Sequence, residues 1–389
     1  MYFIFKNRKY FSCFLGIIIV FTSINLAFAE PSLDIKGKSA ILMDFNTGEI
    51  LYENNSNEKL PPASITKIMV LLIAMESIEK GVIKLTDEVV VTSNAAGMGG
   101  SQVYLEEGEI QTVESLLKAI CLRSANDASV ALAEHISGSE EIFAKKMNER
   151  ATQLGMKNTN FKNVSGLPSE DHYTTAYDIA LMSRELLKHP KIHEWLTLWM
   201  AEMKVGKNKD VVQGLVNTNR LVKEYEGANG VKTGFTNEAG FCLSGSAKRG
   251  NLQLISVIMG CETSKLRFEE TKRMLDYGFA TYDSVTIGKK GDVVGKILLE
   301  KGKKNEVNVI FEKDVFVLLP KGSQSNLGRE YILPKSLIAP IEKNSKLGEL
   351  VITLDGKIVD RINLVSSETV ESANFADMFK VMFNNLIHK

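Results

Sequence analysis

Two kinds of hydrophobic pattern follow each other along this chain. Short apolar runs at 40–44 and 49–52 flank a polar turn and predict a β-hairpin. Three segments follow in which apolar residues either recur at helical spacing or occupy most positions, at 65–79, 112–136 and 177–187. This is typical of amphipathic or buried helices. The chain therefore begins with strands and continues into helices.

Strand patterns return after residue 230. Alternating or continuous apolar residues occur at 230–235, 241–247 and 252–260. Residues 265–279 then have the pattern of a helix with Ser264 as its N-cap. Strands at both ends with helices between them do not follow a repeating βαβ order. The pattern predicts an α+β fold.

The pattern changes again near residue 283. From 285 to 365 the chain consists of short strand-like runs separated by Gly- and Lys-rich turns, which is typical of a small all-β domain. We therefore expect one domain at 30–283, a small β-rich domain at 284–366, and a final segment at 367–389 that begins with a polar linker.

The final segment carries a bulky apolar stripe. Its members recur at helical spacing on one face: Phe375, Met378, Phe379, Met382, Phe383, Leu386 and Ile387. Such an amphipathic helix can dock on the body of the protein, or it can lie in a membrane interface. We favour the outer face of the cytoplasmic membrane, because the stripe follows a polar linker at the end of the sequence.

The first residues resemble an export signal. Basic residues at 6–9 precede an apolar run at 11–21 that is short for a bilayer span, and Ala-Phe-Ala at 27–29 provides a cleavage site. We expect a signal peptide at 1–29 and a mature chain that starts at Glu30. An uncleaved N-terminal anchor is the alternative.

Composition narrows the function only slightly. The chain has 389 residues with 47 basic and 47 acidic side chains, so no basic surface for nucleic acid is expected. Three cysteines remain after the expected cleavage, at Cys121, Cys242 and Cys261. An odd number cannot pair completely, so we expect buried free thiols.

The first chemical motif is Ser-Ile-Thr-Lys at 64–67. Residues three apart share a helix face, so Lys67 can reach the hydroxyl of Ser64 and act as its base if the amine is neutral. Burial and a second cation, for which Lys232 is the candidate, can lower the pKa of the amine. The same spacing recurs in polar contexts at Ser56/Lys59, Ser77/Lys80 and Ser115/Lys118, so spacing alone is weak evidence.

Two further motifs complete the set. Ser124 and Asn126 lie two residues apart in the helical region, where they can share a pocket or simply cap a helix. Lys-Thr-Gly at 232–234 lies on a predicted strand, where Lys232 and Gly234 share one face and the glycine leaves room for a substrate backbone. A charged edge strand is the alternative for this segment.

Together these motifs resemble those of the penicillin-recognising serine enzymes, and in particular the low-molecular-mass penicillin-binding proteins that are D-alanyl-D-alanine carboxypeptidases. The matching words are Pro-Ala-Ser-Ile-Thr-Lys-Ile-Met at 62–69, Ser-Ala-Asn-Asp-Ala at 124–128, Gly-Val-Lys-Thr-Gly at 230–234, Ala-Gly-Phe at 239–241, Leu-Arg-Phe at 266–268 and Tyr-Gly-Phe at 277–279. The resemblance implies a β-lactamase/transpeptidase-like domain, with an antiparallel sheet and a helical region, then the β-rich domain and the terminal helix.

The resemblance also implies roles for individual residues. Ser64 would attack the penultimate D-alanine carbonyl of a peptidoglycan stem peptide, and Lys67 would take its proton. Ser124 would pass a proton to the leaving D-alanine, and Asn126 would orient Lys67 and the substrate. The terminal carboxylate or the oxyanion would be bound by the remaining set: Lys232, Thr233, Gly234, Phe235 and Arg267. Penicillins and other β-lactams would acylate Ser64, and no cofactor or metal is expected.

Two alternatives remain open at this point. A class A β-lactamase would need a Glu-x-x-Leu-Asn loop, and none occurs between Ser124 and Lys232. A membrane-tethered scaffold with a vestigial site would not need the full set of polar residues. The resemblance is also imperfect, because Phe235 stands where several members have histidine.

Overall fold

A computed structural model describes residues 33–375 and residue 377 of the chain. The predicted signal peptide lies outside the described residues, and so does nearly all of the apolar stripe that begins at Phe375. None of the described helices is long and apolar enough to cross a bilayer.

The helices and strands are numbered in chain order. The helices are α1 (Lys67–Glu79), α2 (Ser93–Ala96), α3 (Val113–Arg123), α4 (Asn126–Ser137), α5 (Glu140–Gln153), α6 (Ala176–Leu186), α7 (His193–Leu196), α8 (Leu221–Glu224) and α9 (Ser264–Thr281), with 3-10 turns at Ala63–Thr66, Pro190–Ile192 and Gln324–Asn326. The strands are β1 (Ser39–Asp44), β2 (Ile50–Asn54), β3 (Glu88–Val90), β4 (Ile110–Thr112), β5 (Met200–Val205), β6 (Val211–Val216), β7 (Ala228–Thr236), β8 (Gly240–Arg249), β9 (Leu252–Cys261), β10 (Tyr282–Gly288), β11 (Val293–Glu300), β12 (Glu306–Phe311), β13 (Val315–Pro320), β14 (Leu327–Ile332), β15 (Ser336–Ile338), β16 (Lys346–Leu354) and β17 (Lys357–Ser366).

An antiparallel sheet with the order β2-β1-β9-β8-β7 carries the expected hairpin and the three later strands. Its strands alternate between two buried faces, as the apolar runs require. On β9, Ser256 contacts Met274 of α9, whereas Val257 belongs to the large core around α1. Helices therefore cover both faces, and β2 and β7 form the two edges of the sheet.

Helix α1 is buried along almost its whole length, from Lys67 to Met75. Its sequence is apolar on every side, which suits a helix at the centre of a core rather than on a surface. It contacts α3, α4, α5 and α6 as well as β7. The polar start of this helix is thus fixed inside the protein, next to the edge strand.

The β-rich part is as expected from the sequence. A sheet with the order β14-β16-β17-β12-β11-β15 and the pair β10–β13 enclose a second apolar core. The expected linker after residue 366 is held against this part, because Val370 is buried and bridges to Ile341, and Ser372 bridges to Gly302.

Several boundaries differ from the sequence interpretation. The helix expected from residue 65 begins as α1 at Lys67, because a 3-10 turn at Ala63–Thr66 precedes it. Helix α9 is capped by Thr263 and not by Ser264, since the Thr263 hydroxyl accepts a hydrogen bond from the N–H of Leu266 at 3.1 Å. Helix α5 and the hairpin β5–β6 were not predicted from the sequence.

The cap assignment leads to a first prediction. We expect Thr263→Ala to lower the free energy of unfolding by about 1 kcal/mol, because the N–H of Leu266 loses its acceptor. The matched control Ser264→Ala should change it by less than about 0.5 kcal/mol. Urea unfolding of both variants measures this, and a larger loss in Ser264→Ala would contradict the assignment.

Candidate active site

The turn that carries Ser64 has an unusual backbone. Ala63 adopts a left-handed conformation with a φ of 48°, which costs a residue with a Cβ about 1–2 kcal/mol. A glycine from a distant loop lies against this turn: a Cβ on Gly166 would lie 1.9 Å from the Ala63 carbonyl oxygen. Gly166 itself has a φ of 81°, so only glycine fits there. The strained turn is thus held by close packing.

The amine of Lys67 lies at the centre of the site. It is within hydrogen-bond distance of Ser64 Oγ at 3.2 Å, Asn126 Oδ1 at 2.7 Å and the carbonyl oxygen of Ser165 at 2.5 Å. The lysine side chain is fully buried. The structure therefore joins the first and second sequence motifs, which lie 59 residues apart, through one nitrogen atom.

The environment of Lys67 disfavours its charge. Burial holds the pKa of this amine well below its ordinary value, and the nearby Lys232 charge lowers it further, against the opposing effect of Asp127. Lys232 is itself buried, and burial, with a contribution from Arg267, lowers its pKa to about 7. Lys232 is thus the second cation that the sequence suggested.

Ser124 lies at the junction of two helices. It ends α3 in a left-handed conformation with a φ of 62°, and α4 begins two residues later at Asn126. The Ser124 hydroxyl is buried and has no hydrogen-bond partner among the described residues. A buried hydroxyl without a partner costs free energy, so it is available to a bound ligand.

Asn126 is fixed from both ends of its amide. Its Oδ1 accepts from Lys67, and its Nδ2 donates to the carbonyl oxygen of Gly99 at 2.6 Å. The next residue, Asp127, accepts hydrogen bonds from the backbone N–H groups of Val103 and Leu105. Together Asn126 and Asp127 hold the loop 99–105 beside the site.

Strand β7 supplies the third motif at the sheet edge. The Lys232 ammonium donates to the carbonyl oxygen of Thr233 at 3.3 Å. The Thr233 hydroxyl donates to Thr218 Oγ1 at 2.8 Å. Thr218 precedes α8 and was not expected in the site, because nothing in its local sequence distinguishes it from other loop threonines.

Gly234 packs closely against the turn that carries Ser64. A Cβ at this position would lie 3.0 Å from the Pro62 carbonyl oxygen and 3.2 Å from the Ala63 Cβ. A larger residue would therefore meet this turn on the face of the strand from which its side chain projects. The glycine allows the edge strand and the Ser64 turn to touch.

Arg267 and Phe235 flank the end of this motif. Arg267 is buried, and its Nη1 donates to the carbonyl oxygens of Gly234 at 2.9 Å and Cys242 at 3.3 Å. Its Nε has no hydrogen-bond partner among the described residues. The Phe235 side chain is half exposed and stacks on Phe241 with ring centroids 4.2 Å apart.

The other Ser-x-x-Lys pairs do not form such a site. Lys80 and Lys118 each form an ion pair with a glutamate on the surface of their helix. Lys59 lies over the ring of Tyr173. Because none of these three amines is buried as Lys67 is, context rather than spacing distinguishes the 64–67 motif, as the sequence interpretation required.

Ser165 and Gly166 are two further site residues that the sequence did not reveal. They lie in a turn where the Asn163 side-chain oxygen accepts hydrogen bonds from both backbone N–H groups. Asn-Val-Ser-Gly at 163–166 is recognisable as a turn, but its contact with Lys67 comes from tertiary packing.

The three cysteines are buried free thiols, as expected.

Comparisons with known proteins identify the family of this chain. A family model described as D-alanyl-D-alanine carboxypeptidase matches residues 26–263, and one described as penicillin-binding protein 5, C-terminal domain, matches residues 282–372. D-alanyl-D-alanine carboxypeptidase DacF of Bacillus subtilis is 44% identical over 346 residues, which cover 89% of this chain and 88% of that protein.

Solved structures give the same result. Penicillin-binding protein 5 from Haemophilus influenzae is 33% identical and has a TM-score of 0.76, over 87% of this chain and 98% of that chain. Penicillin-binding protein D2 from Listeria monocytogenes in its ampicillin-bound form is 29% identical with a TM-score of 0.57, over 64% of this chain and all of that one (100%). This chain therefore belongs to the D-alanyl-D-alanine carboxypeptidase family and is a serine-type carboxypeptidase.

Proposed function

We propose that this carboxypeptidase removes the terminal D-alanine of peptidoglycan stem peptides through an ester on Ser64, with Lys67 as the base. One observation carries the assignment: a buried amine contacts the Ser64 hydroxyl and two carbonyl oxygens at once. A neutral amine has two N–H donors and one lone pair. The oxygens of Asn126 and Ser165 can only accept, so they use both donors, and the lone pair is left for the proton of Ser64.

Acylation then proceeds with balanced protons. Ser64 Oγ transfers its proton to Lys67 Nζ and attacks the carbonyl carbon of the penultimate D-alanine. The tetrahedral intermediate collapses, the C–N bond breaks, and the leaving amine of the terminal D-alanine takes up the proton. Ser124, whose buried hydroxyl has no protein partner in the described part of the chain, relays that proton from the Lys67 ammonium.

The charges at the sheet edge suit the carboxylate of the substrate. Lys232 and Thr233 are adjacent buried residues of β7, and Arg267 contacts the same strand through the carbonyl oxygen of Gly234. A carboxylate bound there restores the charged state of Lys232, which burial otherwise disfavours. Backbone N–H groups of Ser64 and Phe235 form the oxyanion site.

Water completes the cycle. Lys67 takes a proton from the water as the water oxygen attacks the ester carbonyl. When the C–Oγ bond breaks, the Lys67 ammonium returns that proton to Ser64 Oγ, and the shortened peptide leaves with a new carboxyl group. A β-lactam ring presents a comparable acyl carbon with a nearby carboxylate, so penicillins acylate the same serine. An ampicillin-bound relative supports this part of the proposal.

We place the enzyme on the outer side of the cytoplasmic membrane. Support comes from the sequence: an export signal at 1–29 and the apolar stripe that starts at Phe375. Phe375 is the part of that stripe whose exposure is described, and its ring is 82% exposed. Stem peptides with D-alanine ends are present in that compartment.

The nucleophile assignment has a direct test. After brief exposure to penicillin, mass spectrometry of the wild-type protein should place one adduct on Ser64, and Ser64→Ala should lose both the adduct and D-alanine release. The matched control is Ser115→Ala, which removes the serine of another Ser-x-x-Lys pair and should keep wild-type activity. An adduct elsewhere would disprove the assignment, and rapid multiple turnover of nitrocefin would indicate a β-lactamase.

The coupling of the two lysines predicts a pH effect. Lys67 must be neutral to accept a proton, so kcat/KM falls as the pH drops below its pKa. The Lys232 charge lowers that pKa, so Lys232→Gln should raise it and move the acid limb of the kcat/KM profile to higher pH, besides weakening carboxylate binding. Lys118→Gln, which removes a surface charge paired with Glu114, should leave the limb in place. An unmoved limb in Lys232→Gln would exclude this coupling.

Membrane attachment can be tested separately. Deletion of residues 375–389 should release the enzyme into the soluble fraction while D-alanine release in solution stays unchanged, because every residue assigned to the site lies between 64 and 267. Fractionation with an activity assay measures both. Continued sedimentation of the truncated enzyme with membranes would rule out this segment as the anchor.

A further inference from the structure

A buried imidazole lies behind the Ser64 turn, and the reaction steps above do not use it. His172 Nε2 lies 2.9 Å from Thr66 Oγ1, and the two residues are 106 positions apart in the chain. Thr66 is fully buried and His172 is 6% exposed. Thr66 occupies the third position of the Ser-x-x-Lys motif, between the nucleophile and its base.

The hydrogen bonds of this imidazole determine which ring nitrogen carries the proton. The backbone N–H of Lys162 donates to His172 Nδ1 at 3.2 Å, so Nδ1 carries no proton and Nε2 does. Nε2–H therefore donates to Thr66 Oγ1. The Thr66 hydroxyl in turn donates to the carbonyl oxygen of Ala63 at 2.8 Å.

This chain of hydrogen bonds ends on the strained residue of the site. Ala63 has the left-handed φ of 48°, and its carbonyl oxygen is the atom against which Gly166 packs. A rotation of the Ala63–Ser64 peptide would move Ser64 Oγ relative to Lys67 Nζ. The Thr66 hydroxyl opposes that rotation, and His172 holds the hydroxyl in the required orientation.

The surroundings keep the imidazole neutral. Burial lowers the pKa of His172 to about 4, and the Lys162 charge acts in the same direction. The Phe161 ring packs against the imidazole in an edge arrangement, with centroids 6.0 Å apart. The proton arrangement that the hydrogen bonds require is thus the one present at neutral pH.

We propose that His172 is a positioning residue for Ser64, acting through Thr66 and the Ala63 carbonyl. This inference rests on the proposed function, because it requires Ser64 to be the nucleophile. The ring nitrogens of His172 bond to Thr66 and Lys162 and not to Ser64 or Lys67, so the imidazole acts at one remove from the reacting atoms. Its effect should fall on the rate of bond formation and not on the affinity of the cleft, because the groups assigned to binding the carboxylate are on β7 and α9.

Stopped-flow acylation by a chromogenic β-lactam separates the two quantities. The dependence of the rate on concentration yields the non-covalent dissociation constant and the acylation rate constant. We expect His172→Ala to lower the acylation rate constant about tenfold, as small displacements of reacting groups do, with the dissociation constant changed less than about twofold. His172→Gln should restore most of the rate, because its amide donates to Thr66 and accepts from Lys162.

His189 provides the matched control. It is a similarly buried imidazole, 8% exposed, and its Nδ1 lies 2.6 Å from Glu79 at the opposite end of α1. His189→Ala should lower the melting temperature about as much as His172→Ala does, yet leave the acylation rate constant unchanged. An equal loss of rate in both variants would show that the effect of His172→Ala comes from a general loss of stability, and it would overturn the proposal.

A double-mutant cycle tests the proposed route through Thr66. Thr66→Val removes the hydroxyl that His172 contacts, so it tests the same hydrogen bond even if His172→Ala folds poorly. If His172 acts through Thr66, the double variant should be no slower than the slower single variant. Independent, multiplying losses would overturn the proposal, as would an unchanged rate in His172→Ala or a failure of glutamine to restore it. A wild-type protein without an adduct on Ser64 would instead refute the proposed function.

Discussion

A buried lysine amine whose partners among the described residues are all neutral oxygens is the constraint on which this site depends. Lys67 is surrounded by carbonyl oxygens, a hydroxyl and a second buried cation. Transfer of a charged ammonium into such a place is costly, so the pKa of the amine lies well below its ordinary value. A lysine in water is protonated at neutral pH and has no free lone pair, whereas the lowered pKa favours the neutral form that can accept the proton of Ser64.

The fold meets this constraint with segments that are distant in sequence. Helix α1, apolar on all sides, carries the amine into the core. The start of α4 and the turn at 163–166 bring the two carbonyl acceptors, and the edge of the sheet brings the second cation. The local strain at Ala63 is small beside the apolar burial of the surrounding core, which is why it can persist.

The sequence predicted the parts of this arrangement that depend on local pattern. The hairpin at 39–54, the helices on either side of Ser124 and the strands around Lys232 follow from hydrophobic spacing. The family resemblance then suggested which polar residues converge, and the structure brings Lys67 to both Ser64 and Asn126. Local pattern also placed the cap of α9 one residue late, because Ser264 and Thr263 are equally suitable by composition.

What the sequence did not reveal depends on contacts between distant residues. Every residue carries a backbone carbonyl, so no sequence pattern distinguishes the carbonyl of Ser165 as an acceptor for Lys67. The left-handed backbone of Ala63 is invisible because alanine rarely adopts it. His172 and Thr218 resemble ordinary polar residues until the chain folds and brings each of them to a hydroxyl of a motif.

The contact between Gly166 and the Ala63 carbonyl ties two segments that are distant in sequence to the position of the nucleophile. A Cβ at residue 166 would lie 1.9 Å from that carbonyl oxygen, so any residue larger than glycine would push the turn away and displace Ser64 with it. The loop 99–105 is held differently, through hydrogen bonds to the side chains of Asn126 and Asp127. The size of a single residue in a remote turn thus limits where the reacting hydroxyl can lie.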